Sequence, residues 1–492
     1  MTPLAGVVLI TLASRARPAA AGLIALLTCL LGLGLSVPVW LRYDPAGSPY
    51  QLLEQGQVLT KSGAAYVVGA DGLTVLAVLG IEVVGLLAIL ASWPRRAERN
   101  PLRHAGLLIF QAAMLGVVMS LDALLFAFWW AVLLTTVAIT TKTGRPARWR
   151  TITLVTASVV ALLAGILMIH AAVGEATGVL SFDLAKLQQV SLPPDRQVRP
   201  LLALCAAFAT AAVLLTLGAR SARTPAHAAF VLTALVLLPA YGVVRFNLAI
   251  LPQAARAFVP GIAALAMAAL LVAVAGAWRT RQASRILTWA AVGQVAVILL
   301  GLTVIDPQAL AGSLIQPVAV ALALAPLAAV LARSSPRSRV VAAGAWILTL
   351  AAAGLPGLIA FTGGAAIVRG TAHAHPMWAL GASAGLVVIA AAMVRATRLT
   401  LSDATAQGTR EPGARAAIAL GFAGVAVLMG IAPEPVRARL QPTMARVITR
   451  LDAGYTPAFA SVPGCGGSLP APSAPAGFTA LAPCDSAAPP AK

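Results

Sequence analysis

Residues 72 to 99 read GLTVLAVLGIEVVGLLAILASWPRRAER, and their composition decides the fold. Positions 72 to 93 carry one ionisable side chain, Glu82, whereas the following positions hold Arg95, Arg96, Glu98 and Arg99. A bilayer's hydrocarbon core is about 30 Å thick and takes roughly 20 apolar residues of helix, because a helix satisfies its own backbone hydrogen bonds where water is absent. An apolar run closed by a basic cluster is therefore a membrane span ending on the cytoplasmic side.

Working outward, the same pattern repeats. Apolar runs lie near 2–14, 20–41, 72–93, 103–120, 122–141, 151–172, 199–217, 226–250, 257–278, 286–305, 309–332, 340–368, 376–397 and 414–432. This predicts an all-α polytopic membrane protein with about 14 transmembrane helices. Of the 492 residues 60% are hydrophobic and 10% charged, with a mean hydropathy of +0.90. Soluble domains carry about a quarter charged residues, so a water-soluble enzyme is excluded. The net charge of +20 does not signal a nucleic-acid partner, since the basic residues stand in short clusters between apolar runs.

Loop charges orient the chain. Loops after odd-numbered runs hold 22 of the 35 Lys and Arg but three of the 15 acids, Glu98, Asp403 and Glu411. The positive-inside rule makes that face cytoplasmic, with both termini extracytoplasmic, in a bacterial inner (cytoplasmic) membrane. No basic region precedes the first run, which argues against a cleaved signal peptide. From about 453 to 492 the chain is rich in Pro, Ala, Gly and Ser and reads as a disordered tail. On the oxidising side its Cys465 and Cys484 are a candidate disulfide, the alternative being two free thiols. Cys29 and Cys205 fall in spans and read as small packing residues.

Ionisable groups inside a bilayer are expensive and usually mark a substrate or proton path. This chain offers few. Its four lysines, at 61, 142, 186 and 492, all lie outside the apolar runs. Asp122, Arg245, His104, His170 and His227 fall at span ends, where they read as interfacial anchors within reach of water. Glu82 alone sits at a span's centre. Burying a charge there favours a neutral carboxyl hydrogen-bonded to a neighbouring helix over a proton carrier. No phosphate loop, HExxH, GxSxG or cysteine ligand spacing occurs, so neither catalysis nor a metal or other cofactor is expected within the chain.

Seven stretches together resemble the antiporter-like M subunit (chain 4) of respiratory complex I, the proton-translocating NADH:quinone oxidoreductase. They are LRYDPAGSPYQLLEQ (41–55), YVVGADGLTVLAVL (66–79), MLGVVMSLDALLFAFWW (114–130), FDLAKLQQVSLP (182–193), AYGVVRFNLAILPQA (240–254), GLPGLIAFTGG (354–364) and GIAPEP (430–435). The resemblance covers nearly the whole chain. It implies two inverted five-helix repeats, divided as residues 1–121 (helices 1–4), 122–278 (first repeat region), 279–432 (second repeat region and final helices) and 433–492 (periplasmic segment and tail). It also implies other membrane-arm subunits as partners, with NADH, flavin and quinone sites residing elsewhere in the assembly.

The same resemblance locates what is missing. In the family a mid-membrane axis runs through a Glu of the fifth helix, a Lys of the seventh, a Lys of the eighth and an acid or Lys of the twelfth. Here those positions fall on Ala131, Ala206, Leu237 and Gly364, and the family's Ser-His turn in the tenth helix stands as Gly293 and Gln294. The proline and His-Thr-Trp pattern that interrupts the family's seventh helix is also absent. The chain thus reads as a proton-inactive, structural paralogue. The competing readings are a translocator rerouted through Glu82, His170 and polar side chains, and a subunit of a related machine: a hydrogenase, a cation/proton antiporter complex or an inorganic-carbon uptake complex.

Overall fold

The structure, a computed structural model, describes residues 2–13, 20–59, 63–92, 101–141, 145–222, 224–331, 339–402 and 413–451. Cys465 and Cys484, and the tail that carries them, lie outside the described residues. The elements run α1 (Thr2–Ala13), α2 (Ala21–Arg42), β1 (Gln51–Leu59), β2 (Ala64–Ala70), α3 (Gly72–Ala91), α4 (Pro101–Met119), α5 (Ala123–Thr140), α6 (Arg145–Thr177), α7 (Leu184–Leu187), α8 (Pro194–Arg220) and α9 (Pro225–Gly242). A π-helical segment, Val243–Leu248, continues α9. There follow α10 (Pro252–Ala257), α11 (Val259–Arg279), α12 (Ala283–Thr303), α13 (Pro307–Leu331), α14 (Arg339–Ala352), α15 (Ile359–Ala374), α16 (Pro376–Ser402), α17 (Gly413–Ile431) and α18 (Glu434–Leu451).

Among the described residues, 11 helices are long and apolar enough to cross a membrane, or 12 if the pair bent by 64° at the end of α17 counts as one span. The chain is an all-α multi-pass membrane protein, with one short antiparallel hairpin, β1 and β2, among the described residues. Three differences from the sequence expectation have physical causes. The run 340–368 is two helices, because Gly354 (φ +77°) and Gly357 (φ +83°) flank a Leu-Pro pair in left-handed backbone that a continuous helix cannot hold. The first loop folds into the hairpin, which adds backbone pairs on to Leu121 and Phe182. Residues past 433 include α18, whose Val436, Leu440, Val447 and Leu451 are buried along one face.

Buried acids set two helix starts. Asp71 caps α3 by accepting from the Thr74 amide, and Asp122 caps α5 by accepting from the Leu124 and Leu125 amides. Asp122 also accepts from the Ala65 amide at 3.2 Å, which ties the hairpin to the helix. Burial pushes its carboxyl up, while these three amides oppose that rise. At the core α13 is buried along its whole span despite Pro317 and Pro326. Around it pack α3, α9, α12 and α15, while α2, α6, α11 and α16 turn most of their apolar surface outward. Outward leucines such as Leu27, Leu31, Leu265 and Leu271 suit lipid, where apolar exposure costs nothing. On α16 Arg395 satisfies the last carbonyls of α11, donating to Ala277 and Thr280 while lying over the Trp278 ring.

Candidate functional site

The four positions singled out in the sequence do not form one polar channel. Leu237 on α9 is 2% exposed inside the main apolar core. Ala131 on α5 is half-buried, Gly364 on α15 is buried, and Ala206 on α8 faces outward. The outward Ala206 is unlike a channel-lining position. On α8 the inward residues are Leu204, Ala207, Phe208 and Ala211, a single apolar stripe at helical spacing. α8 itself runs unbroken from Pro194 to Arg220.

Near Ala131 and Ala206 the buried polar groups are neutral and close on themselves. The Trp130 indole N–H donates to the Ser158 hydroxyl at 3.1 Å, and that hydroxyl donates to the Ala207 carbonyl at 2.8 Å. The chain ends on a backbone acceptor and contains nothing that titrates. In the second half Gln316 Nε2 donates to Gln294 Oε1 at 3.1 Å, and Gln294 Nε2 reaches the Ala352 carbonyl at 3.4 Å. A Cβ on Gly364 would stand 3.5 Å from Gln316 Nε2, so a longer side chain there would meet this amide pair. Amides hold waters and orient dipoles, but they do not carry protons by titration.

Glu82, 3% exposed, accepts from Gln111 Nε2 at 2.7 Å, and the Cys29 thiol donates to Gln111 Oε1 at 3.3 Å. This cluster joins α3, α4 and α2. It requires glycine beside it, since a Cβ at Gly32 would overlap the Glu82 carboxyl and one at Gly85 the Gln111 amide. Among the span-end histidines, His170 stacks on Phe182 at 3.9 Å and bonds the Ser181 carbonyl, and His227 pairs with the Thr140 hydroxyl at 3.2 Å. His104 is buried among apolar side chains of α4. Among the described residues, the hydrogen bonds of Glu82 and of His170 thus stay in separate clusters.

The strongest polar constellation lies where the sequence suggested only an interfacial anchor. Arg245, 3% exposed, sits on the π-helical segment and clasps Asp71 bidentately, at 2.7 and 3.0 Å. The wider π turn accommodates an extra residue after Pro239, a device that re-aims side chains at functional and structural sites. The guanidinium also donates to the Tyr241 hydroxyl at 2.9 Å and the Thr74 hydroxyl at 2.6 Å. From α18 the Thr443 hydroxyl donates to Asp71 at 3.3 Å and Arg446 approaches it at 3.4 Å. Arg446 lies over the Tyr50 ring and Arg439 over Trp40. Burial by itself would raise the Asp71 carboxyl. Arg245, Arg446 and the Thr74 donors outweigh that effect and hold it below the usual carboxylate range.

Sequence reasoning missed this network because Arg245 and Arg446 stand 174 and 375 positions from Asp71. The available signals were the helix-capping Asp71 and the run AYGVVRFNLAILPQA around Arg245. Among the described residues no group of three or more His, Cys, Asp or Glu side chains could hold a metal ion.

No family model matches the chain. Over 455 residues it is 26% identical to NADH-quinone oxidoreductase subunit M of Pseudomonas aeruginosa, covering 84% of this chain and 89% of that protein. The subunit M of Escherichia coli K12 is 24% identical with the same coverage. Among solved structures, a chain of respiratory complex I from Thermus thermophilus superposes with a TM-score of 0.79 at 22% identity, covering 92% of this chain and all of that one. A chain of the archaeal membrane-bound sulfane sulfur reductase gives 0.80 at 16% identity, covering 91% and 96%. A chain of the Mrp complex from Dietzia sp. gives 0.72 at 15%, covering 93% of this chain and 53% of its own. By these likenesses the chain is a diverged homologue of NADH-quinone oxidoreductase subunit M (chain 4), with the all-α polytopic fold of the antiporter-like subunits of complex I and Mrp.

Proposed function

We propose that the chain is an antiporter-like membrane-arm subunit of a complex I-type NADH:quinone oxidoreductase, and that it holds the arm together without conducting protons itself. The carrying observation is the chemistry at the expected axis. A proton wire needs titratable groups or ordered waters in hydrogen-bond reach, and Ala131, Leu237 and Gly364 supply neither. The polar groups that do lie nearby, Trp130 with Ser158 and Gln294 with Gln316, are neutral. Glu82 is bonded within its own corner of the bundle by Gln111. Electron transfer and quinone chemistry then belong to the other subunits, and this chain binds no cofactor. Its partners are the neighbouring membrane-arm subunits and the bilayer, and its extracytoplasmic termini follow from the one-sided basic loops.

Two measurements test this. The tagged chain, purified from its native membranes in mild detergent, is expected to bring complex I membrane-arm subunits with it. Co-purification with subunits of a sulfane sulfur reductase or an Mrp-type antiporter instead would move it to a related machine. Reconstituted alone in vesicles, it is expected to dissipate a pH gradient no faster than empty vesicles. A Glu82-dependent proton leak, abolished in Glu82→Gln with folding intact, would overturn the inactive reading.

A further inference from the structure

Between α8 and the α11–α12 pair the helices part, leaving a groove of about 530 Å³ floored by α9 and its π segment. Its lining on α8 runs from Leu201 to Arg220, about 28 Å of helix at 1.5 Å per residue. An apolar trough of that length accepts a hydrocarbon chain lying along the helices.

The groove is mostly apolar and changes character at one end. There Arg256, on the groove wall, also lines a second pocket of about 70 Å³ that contains Arg450, Gln189, Ser191, Gln197 and Gln253. The two spaces are therefore adjoining compartments that share an arginine, one greasy and one basic and polar. α18 builds this mouth: Arg256 donates to the Leu451 carbonyl at 2.8 Å, and Arg450 donates to the Ala249 carbonyl. Asn247, 2% exposed, also lines the groove, and its Oδ1 has no hydrogen-bond partner among the described residues. A buried amide oxygen in that condition costs free energy until a donor reaches it. At the opposite end Arg220 lies over the Trp289 ring, 5.4 Å from its centre.

We propose that this groove is a binding site for an anionic phospholipid, with one acyl chain between α8 and α11–α12 and the phosphate in the pocket of Arg256 and Arg450. A headgroup with free hydroxyls, as in phosphatidylglycerol, also carries the kind of donor that the Asn247 amide oxygen lacks. Basic pockets between membrane helices recognise headgroups in this way. The bound lipid fills a gap that the helices leave open and docks the end of α18, so it is a structural ligand of the full chain.

Native mass spectrometry of the purified full-length protein, titrated with phosphatidylglycerol or phosphatidylcholine, tests the site. Each arginine near a lipid surface changes anionic-lipid affinity about fivefold, so the pair is expected to favour phosphatidylglycerol about thirtyfold. Equal retention of both lipids would overturn the proposal, as would displacement of phosphatidylglycerol by millimolar inorganic phosphate without any dependence on the groove. Ala209→Trp, which fills the groove wall without touching the arginines, is expected to abolish lipid retention while helicity is unchanged. Normal retention in that variant refutes the groove assignment even if Arg256→Gln fails to fold. A photoactivatable side chain at Val213 in native membranes is expected to yield an adduct of lipid mass, and a polypeptide adduct would assign the groove to a protein partner.

Discussion

Arg245→Gln removes the guanidinium that clasps Asp71 and leaves that fully buried carboxylate with Arg446 as its counter-charge, 3.4 Å away and 28% exposed. Breaking a buried ion pair by deleting one partner costs about 3–5 kcal/mol, because an uncompensated charge stays behind. Arg446 remains, so the loss falls at the lower end, about 3 kcal/mol. Asp71→Asn strands Arg245 next to the neutral hydroxyls of Tyr241 and Thr74, so its cost falls at the upper end, about 5 kcal/mol. In the double variant both sites are amides and neither charge is stranded, so the two losses do not add. The expected coupling is about 2–3 kcal/mol. Unfolding titrations in mixed micelles, read by exposure of the 1%-exposed Cys29 thiol, measure all four corners of the cycle. Additivity within about 0.5 kcal/mol would mean that the clasp carries no specific energy, and the account of the constellation would fail.

Asp71 also sets a pH dependence. Its folded-state carboxyl is held low, so its contribution is complete above the unfolded-state value near 4 and is lost as pH falls through the lower folded value. Melting temperatures are expected to drop below pH 4 in the native chain and less steeply in Asp71→Asn. Leu237→Lys, which puts a charge where the family resemblance implies one and where the described surroundings are an apolar core, is expected to destabilise by about 3 kcal/mol or more and to add no proton flux. Glu82→Gln keeps a partner for Gln111 and is expected to cost under about 1 kcal/mol, whereas Glu82→Ala opens a cavity and orphans the amide, at about 2–4 kcal/mol. Gly72→Val would drive a side chain into the Arg439 carbonyl of α18, so protease cleavage within α18 is expected to accelerate.

Much of the fold could be read directly from the chain. Spans such as 72–93 and 376–397 emerge from length and composition alone, because the bilayer allows one solution to backbone hydrogen bonding. The GLPG break escaped because leucine, isoleucine and alanine continue on both sides of it, and only two left-handed glycines divide the helices. The hairpin escaped because Gln51–Leu59 shows no regular alternation and Ala64–Ala70 reads as a short apolar approach to α3. The site was less legible still. Absent charges could be counted from Ala131, Leu237 and Gly364, but side-chain direction could not, and Ala206 points outward. Arg245 looked like a surface anchor because nothing near it in sequence announces the roof that α18 and the hairpin place over it.

The late arrival of α18 has a consequence for biogenesis. A ribosome adding about 5–20 residues per second emits Arg245 roughly 10 to 35 s after Asp71, and Arg446 only about 20 to 75 s after it. For that interval the acid stands first alone and then paired with Arg245 but without the cover of α18. α18 therefore acts as a closing seam. A chain that stops before Glu434 lacks Thr443 and Arg446, so the Asp71–Arg245 clasp stays uncovered on that side.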